Sequence, residues 1–295
     1  NMLTALDHPF IIRVYAKSVA NGDAKNLFLV MDRLMGTLNG KINFWTRQKQ
    51  HEPVHSFAYD AKASQAAMVR ETLRVASQIA SAMAYLHSQN IVYRDLKAVN
   101  VGFDITGTVK LFDFGLARHI PTDDPEKKRE NNTYLMTGKT GSLLLMAPEV
   151  FKGQPYNEKA DVYSFAILLW NMLSLDVPYI EFLKDRSFET SVMENGMRPP
   201  VWGTWPEHVQ SLLERGWAQD YNKRPSMKEI CDMLQPEEEA TPAAASISIT
   251  KDKASFGGLW FLAWALPLLG TIIYFAWMEY ENGHYQNFLF GSREL

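Results

Sequence analysis

The stretch from Ile91 to Gly115, IVYRDLKAVNVGFDITGTVKLFDFG, constrains the fold more than any other part of the chain. Val99 to Phe103 and Val109 to Phe112 are short β-prone runs, and Asp104-Ile105-Thr106-Gly107 between them is a turn signal. The pattern predicts a hairpin, with Asp95 to Asn100 as the loop leading in and Asp113 just past the second strand. A hairpin folds the chain back on itself, so Asn100 and Asp113 are expected to lie close in space. A carboxylate and an amide carbonyl, Asp113 and Asn100, suit a hard divalent cation such as Mg²⁺. A second carboxylate, Asp95, suits the acceptor that aims a hydroxyl and takes its proton. Lys97 supplies a cation for charge developing on a migrating phosphoryl group. Together these are the parts that phosphoryl transfer from ATP requires.

Three motifs carry a family resemblance. Tyr93 to Asn100, YRDLKAVN, resembles the protein-kinase catalytic loop; Asp113-Phe114-Gly115 resembles the DFG magnesium motif; Ala147-Pro148-Glu149 resembles the APE motif. A lone DFG is a weak signal, but three motifs in this order and at these intervals are specific. The resemblance covers residues 1–234 and implies an α+β, bilobal protein-kinase-like fold with a mostly helical C-lobe and an incomplete β-rich N-lobe. It assigns Asp95 as base, Lys97 as charge stabiliser and ATP contact, and Asn100 and Asp113 as Mg²⁺ ligands. ATP, Mg²⁺ and a protein substrate are the implied partners. Lys97 and Ser142, the latter near the expected substrate site, favour Ser/Thr over Tyr specificity. Leu144 and Leu145 depart from the Arg and aromatic that relatives tend to carry there.

Composition agrees with a folded enzyme. The chain has 295 residues, 46% hydrophobic and 21% charged, which is globular rather than disordered. A net charge of −3 gives no sign of nucleic-acid binding. Cys231 is the one cysteine, which rules out an intrachain disulfide and fits a reducing compartment.

Residues 1–34 read as a remnant of the N-lobe and hinge. Leu3, Leu6 and His8-Pro9 mark a helix ending, and Phe10 to Tyr15 and Leu27 to Met31 two strands around a Gly22-Asp23 turn. By the resemblance, Met31 is a buried gatekeeper, and the backbones of Asp32 and Leu34 face the adenine edge. Neither a Gly-rich phosphate loop nor a Val-Ala-Ile-Lys-like strand precedes them, and the chain opens on Asn1. The rest of that lobe is therefore expected upstream; the alternative is a membrane-bound pseudokinase acting as a scaffold.

Residues 35–234 read as the C-lobe. Residues 41–60, polar and carrying His51 and His55, read as a solvated insertion rather than a metal site. Val69, Leu73, Ala76, Ala80, Met83 and His87 recur at helical spacing, with Asn90 as terminator, predicting a helix over 65–90. Tyr93 is expected in an apolar column with Phe114, Val14 and Leu3. Gly102 stands where the family carries a large apolar side chain under the adenine, a role left to Val101 or Phe103. Between Asp113 and Glu149 lies the expected activation segment, with Thr133, Tyr134, Thr137 and Thr140 as phosphosite candidates and Arg94 as the phosphate's partner. An upstream kinase acting on Thr137 or Thr140 is the implied regulator. The apolar run from Val162 to Met172 predicts a buried helix, led by an Asp161 that by resemblance holds the catalytic-loop backbone. Arg224 is expected to pair with Glu149.

At Gln235 the composition changes. Residues 235–255 read as a linker. Phe256 to Met278, FGGLWFLAWALPLLGTIIYFAWM, carries no charge and as a helix would span about 34 Å, enough for a hydrocarbon core of about 30 Å. Its tryptophans and Tyr274 suit the two interfaces, and Pro267 is tolerable within a membrane. Lys251 and Lys253 on one side against Glu279 and Glu281 on the other place the kinase domain in the cytosol. The expectation is one transmembrane helix, a single-pass protein and a short tail over 279–295, whose closing Ser-Arg-Glu-Leu loosely resembles a retrieval signal.

Overall fold

The computed structural model describes residues 2–17, 29–51, 58–184 and 187–235. The Gly22-Asp23 turn, His55, nearly all of the expected linker, the Phe256–Met278 segment and the tail lie outside the described residues. Among those described, no helix is long and apolar enough to cross a membrane.

The chain opens with a 3-10 turn, Met2–Ala5, and then two strands, β1 (Val14–Lys17) and β2 (Leu29–Met31), paired antiparallel with Val14 opposite Met31. The first strand starts later than the sequence predicts, because Phe10 to Ile12 is taken by another partner. The Phe10 carbonyl accepts from Leu111 N and Ile12 N donates to the Leu111 carbonyl. Met31, expected to be buried, is 41% exposed on β2. Among the described residues this sheet has two strands.

After the hinge come β3 (Gly36–Thr37) and α1 (Leu38–His51). Here the structure overturns the solvated insertion read at 41–60: its first part is helix. Lys41, Arg47, Gln48, Lys49 and Gln50 mask a narrow apolar stripe, Leu38, Ile42 and Trp45, at steps of four and three, and all three side chains are buried. Helix α2 (Ala58–Ser88) begins seven residues ahead of the expected 65 and ends as predicted, with Asn90 at φ 56 closing its C-terminal turn.

The predicted hairpin is present. Strands β5 (Val101–Phe103) and β6 (Val109–Leu111) follow β4 (Ile91–Val92) and pair with Val101 opposite Leu111. Asp104 Oδ1 accepts from Thr106 N and Thr108 N and so ties the turn. Strand β3 adds to this hairpin through β5, while β4 pairs with β7 (Arg118–His119). The remaining helices are α3 (Pro148–Phe151), α4 (Lys159–Ser174), α5 (Ile180–Lys184), α6 (Glu207–Gly216) and α7 (Met227–Met233). A π-helical turn lies at Glu189–Glu194. Helix α4 is buried almost all round, as its composition predicts, and packs against α2 and α6. Helix α7 starts on a capping box in which Ser226 and Glu229 each accept from the other's backbone N–H.

Gly102 settles what stands in for the missing large side chain. A Cβ there would lie 2.6 Å from Leu34 Cδ1 and 3.0 Å from Cδ2. The Leu34 side chain, rather than Val101 or Phe103, fills that space, held by Met35 N donating to the Phe103 carbonyl at 2.8 Å. Gly102→Leu is therefore expected to cost about 1–3 kcal/mol by over-packing, and Leu34→Ala in the same chain to recover most of it. Denaturant unfolding of the two single variants and the double variant measures the coupling; additive effects would show that Leu34 is not wedged against the strand.

Arg224 and Glu149 form the deepest ion pair among the described residues. Arg224 donates through Nη1 and Nη2 to the two Glu149 oxygens, at 2.7 and 2.9 Å, with side chains 0% and 4% exposed. The guanidinium also donates to the Ala218 and Lys159 carbonyls, so most of its donors are satisfied. Arg224→Ala strands a buried carboxylate and is expected to cost roughly 3–5 kcal/mol in denaturant unfolding. Lys in its place should recover little, because an ammonium cannot make the two-pronged contact.

Candidate active site

The loop between β4 and the 3-10 turn Ala98–Asn100 gathers the polar groups singled out in the sequence. Asp95 is 8% exposed and its carboxylate has a partner on each oxygen. Oδ2 receives Asn100 Nδ2 at 3.0 Å and lies 2.7 Å from Lys97 Nζ, while Oδ1 receives the Ser142 hydroxyl at 3.0 Å. Asn100 Nδ2 also donates to the Asp95 carbonyl, at 2.9 Å. With its amide nitrogen committed to Asp95, Asn100 keeps its side-chain carbonyl as the remaining acceptor.

Asp113 reaches this loop through the hairpin. Phe112 N donates to the Asn100 carbonyl at 3.1 Å, which sets Asp113 one residue beyond the contact. Its φ of 61 turns the chain sharply, and its side chain is exposed, with Oδ1 accepting from Gly115 N at 3.2 Å. Among the described residues no group of three or more His, Cys, Asp and Glu side chains is assembled. Mg²⁺ uses one or two protein ligands and completes its octahedron from phosphates and water. Asp113 and the Asn100 carbonyl are the oxygen donors this chain could offer.

What holds the loop is Asp161, at the start of α4 and 1% exposed. Its carboxylate accepts from Tyr93 N at 2.8 Å, Arg94 N at 2.8 Å and His87 Nε2 at 2.9 Å. The Asp161 role implied by resemblance is thus visible as geometry. His87 was read only as part of the α2 stripe; its signal was its place in the last turn, where a polar ring on the apolar face needs a partner. Tyr93 packs edge-on to Phe114 at 5.2 Å, the first contact of the expected apolar column. Burial, then the negative charge of Asp113 and Asp95, holds the Tyr93 hydroxyl well above the usual phenol range, so it stays a neutral donor to the Phe112 carbonyl.

The segment after Asp113 closes over this loop. Gly141 sits at φ 101, and a Cβ there would fall 2.3 Å from the Arg94 carbonyl oxygen, so no other residue allows the approach. That approach delivers Ser142 to Asp95. The four phosphosite candidates separate. Thr133 and Tyr134 are buried, Thr140 is half-buried with its hydroxyl turned to the Thr137 and Gly138 carbonyls, and Thr137 is exposed. Leu144 and Leu145 pack against the core, and the Leu145 carbonyl accepts from Ser164.

The hinge residues lie apart from this cluster in sequence and are held separately. Asp32 N donates to the Arg13 carbonyl, and the Asp32 carboxylate accepts from Arg13 N and the Tyr15 hydroxyl. Burial opposes ionisation of Asp32, but these donors and Lys110, 3.6 Å away, together leave its pKa below the usual carboxylate value. No hydrogen bond among the described residues takes up the Leu34 N–H. A cavity of about 880 Å³ lies elsewhere, between α1, α2 and the Trp202–Trp205 loop, and contains none of the residues named above for catalysis.

Comparison with known proteins agrees with the motifs. The family described as protein tyrosine and serine/threonine kinase matches residues 1–234. The serine/threonine-protein kinase STY46 of Arabidopsis thaliana is 39% identical over 162 residues, covering 55% of this chain and 26% of its own. A probable LIM domain-containing serine/threonine-protein kinase of Dictyostelium discoideum is 39% identical over 163 residues, 55% of this chain and 23% of its own. Human mitogen-activated protein kinase kinase kinase 7 is 37% identical over 161 residues, 53% of this chain and 25% of its own. The matched part thus spans about a quarter of each relative's length. With a family match over most of its length and the catalytic-loop geometry described above, the chain belongs to the protein kinase family.

Proposed function

We propose that the chain transfers the terminal phosphoryl group of ATP to a serine or threonine hydroxyl of a protein substrate. The observation that carries this reading is the Asp95 carboxylate, with one oxygen at Ser142 and the other between Lys97 and Asn100. Asp95 accepts the substrate hydroxyl's proton and aims its oxygen. Lys97, bound to the same carboxylate, offsets negative charge on the phosphoryl oxygens as the bond to the leaving group lengthens. Asn100 and Asp113 would hold Mg²⁺, which when bound neutralises phosphate charge. The backbones of Asp32 and Leu34 are the hinge groups proposed to meet the adenine edge, with Met31 as gatekeeper. The serine/threonine names of the relatives and the Ser142 contact both support that specificity.

Regulation and location belong to the same proposal. Thr137, exposed on the segment that closes over the loop, is the better placed target for an upstream kinase, with Thr140 second. The uncharged Phe256–Met278 segment is proposed as a single membrane span that leaves the kinase domain in the cytosol. A scaffold function is the second reading, and Gly102 favours it, since the side chain beside that position is Leu34 rather than a strand residue under the adenine.

A phosphotransfer assay with ATP, Mg²⁺ and a serine/threonine peptide separates the two. The full-length protein is expected to label the peptide, and Asp95→Asn to lower the rate by about 10²–10⁴-fold with its unfolding midpoint nearly unchanged. Asp113→Ala should lose transfer as well. Nucleotide-independent partner binding with no transfer from the full-length protein would sink the enzyme reading and leave the scaffold.

A further inference from the structure

Arg94 sits directly before Asp95 and adopts φ 70, a left-handed conformation that a non-glycine residue holds only when its surroundings enforce it. The Asp161 carboxylate fixes its N–H. Its side chain is fixed twice more. Nε donates to the Leu116 carbonyl at 2.6 Å, at the start of the activation segment, and Nη1 donates to the Tyr156 hydroxyl at 3.1 Å. Tyr156 is 1% exposed, and its hydroxyl donates in turn to the Thr137 carbonyl at 2.9 Å, at the far end of the same segment. The Tyr156 backbone exchanges hydrogen bonds with Tyr134, so the ring is anchored to the segment it reports on. One phenol oxygen thus accepts from the catalytic-loop arginine and donates to the chain five residues before Ser142.

We propose that Tyr156 is a positioning residue: its hydroxyl couples closure of the activation segment to the Arg94 conformation, and through Arg94 to the aim of Asp95. The proposal rests on the phosphoryl-transfer reading for its catalytic consequence, but the tether itself does not. Tyr156 is buried and lines a small cavity with Met146, Ala147, Val150 and Ala160, so Tyr156→Phe keeps the ring in place and removes only the bridge. What remains is an Arg94 donor and a Thr137 acceptor facing one another with nothing between them. Burial raises the Tyr156 pKa, so the bridging hydroxyl keeps its proton.

The test compares the full-length protein with its Tyr156→Phe and Tyr179→Phe variants. Tyr179 is a buried tyrosine whose hydroxyl meets that of Tyr163 and interacts with Arg198, and so controls for loss of a buried hydroxyl elsewhere. Two readouts are taken on each. In hydrogen exchange, the Lys139 amide, which donates to the Val150 carbonyl, and the amides of Tyr93 and Arg94 are expected to exchange about tenfold faster in Tyr156→Phe, matching one lost hydrogen bond. In the transfer assay, kcat is expected to fall about tenfold with KM for ATP unchanged, as misaim of a base rather than lost binding predicts. Unchanged exchange at these amides, or an equal kcat loss in Tyr179→Phe, overturns the proposal. An inactive full-length protein would sink the phosphoryl-transfer reading, while exchange still decides whether Tyr156 couples the segment to the loop.

Discussion

A single buried carboxylate organises the centre of this molecule. Asp161 is all but removed from water, and a charge in that position is costly unless hydrogen bonds replace its hydration. Its partners are the Tyr93 and Arg94 backbone amides and the His87 ring, so satisfying the charge fixes where the loop can run. The dependence is mutual. Arg94 would not keep a left-handed φ on its own, and Asp161 would not stay buried without donors. Because Asp161 lies at the start of α4, which is buried nearly all round, the loop inherits the rigidity of the core. Helix α2 delivers His87 to the same carboxylate from the other side, so the two longest helices of the core meet there.

From that anchor the site is assembled by close backbone approaches. Gly141 lets the activation segment touch the Arg94 carbonyl, and Gly102 lets Leu34 lie against β5. The two glycines work differently. Gly141 combines a left-handed backbone with a backbone neighbour that cannot yield, so any side chain is excluded. Gly102 faces the flexible end of Leu34, so its constraint is reciprocal packing: the side chain that a strand residue would supply comes from the hinge. A departure from the family pattern that looked like a gap is therefore filled by a compensating neighbour.

The sequence made the hairpin, the catalytic loop and the buried α4 legible, because each follows from local pattern. Asp104 ties its own turn, Asp95 to Asn100 is a short motif, and the α4 residues are apolar without a polar face. Helix α1 was not legible: three buried residues among many polar ones give too narrow a stripe to outweigh composition. The late start of β1 escaped for a different reason. Phe10 to Ile12 looks like strand by composition, and it does bond to a strand, but to β6, far along the chain. Partner choice of that kind is a tertiary outcome that local propensity does not encode. His87 belongs to the same class, since a spacing rule can mark a residue as inward-facing without saying which polar group it will meet.

The placement of Lys97 bears on how much of the proposed chemistry depends on this framework rather than on the residues alone. An exposed lysine–carboxylate pair contributes little, because water screens it. Here the carboxylate is largely buried and is held by Asn100 and Ser142 as well, while the lysine remains partly exposed. The buried partner is thereby pre-oriented and the exposed one keeps the freedom to shift toward incoming charge. A cation that must follow charge as it migrates along a reaction coordinate benefits from that asymmetry, since preorganised groups aid the transition state only where charge develops. The same residues on a flexible loop would form the pair in solution and lose the aim, which is why the anchor at Asp161 matters to the proposed transfer as much as the acceptor does.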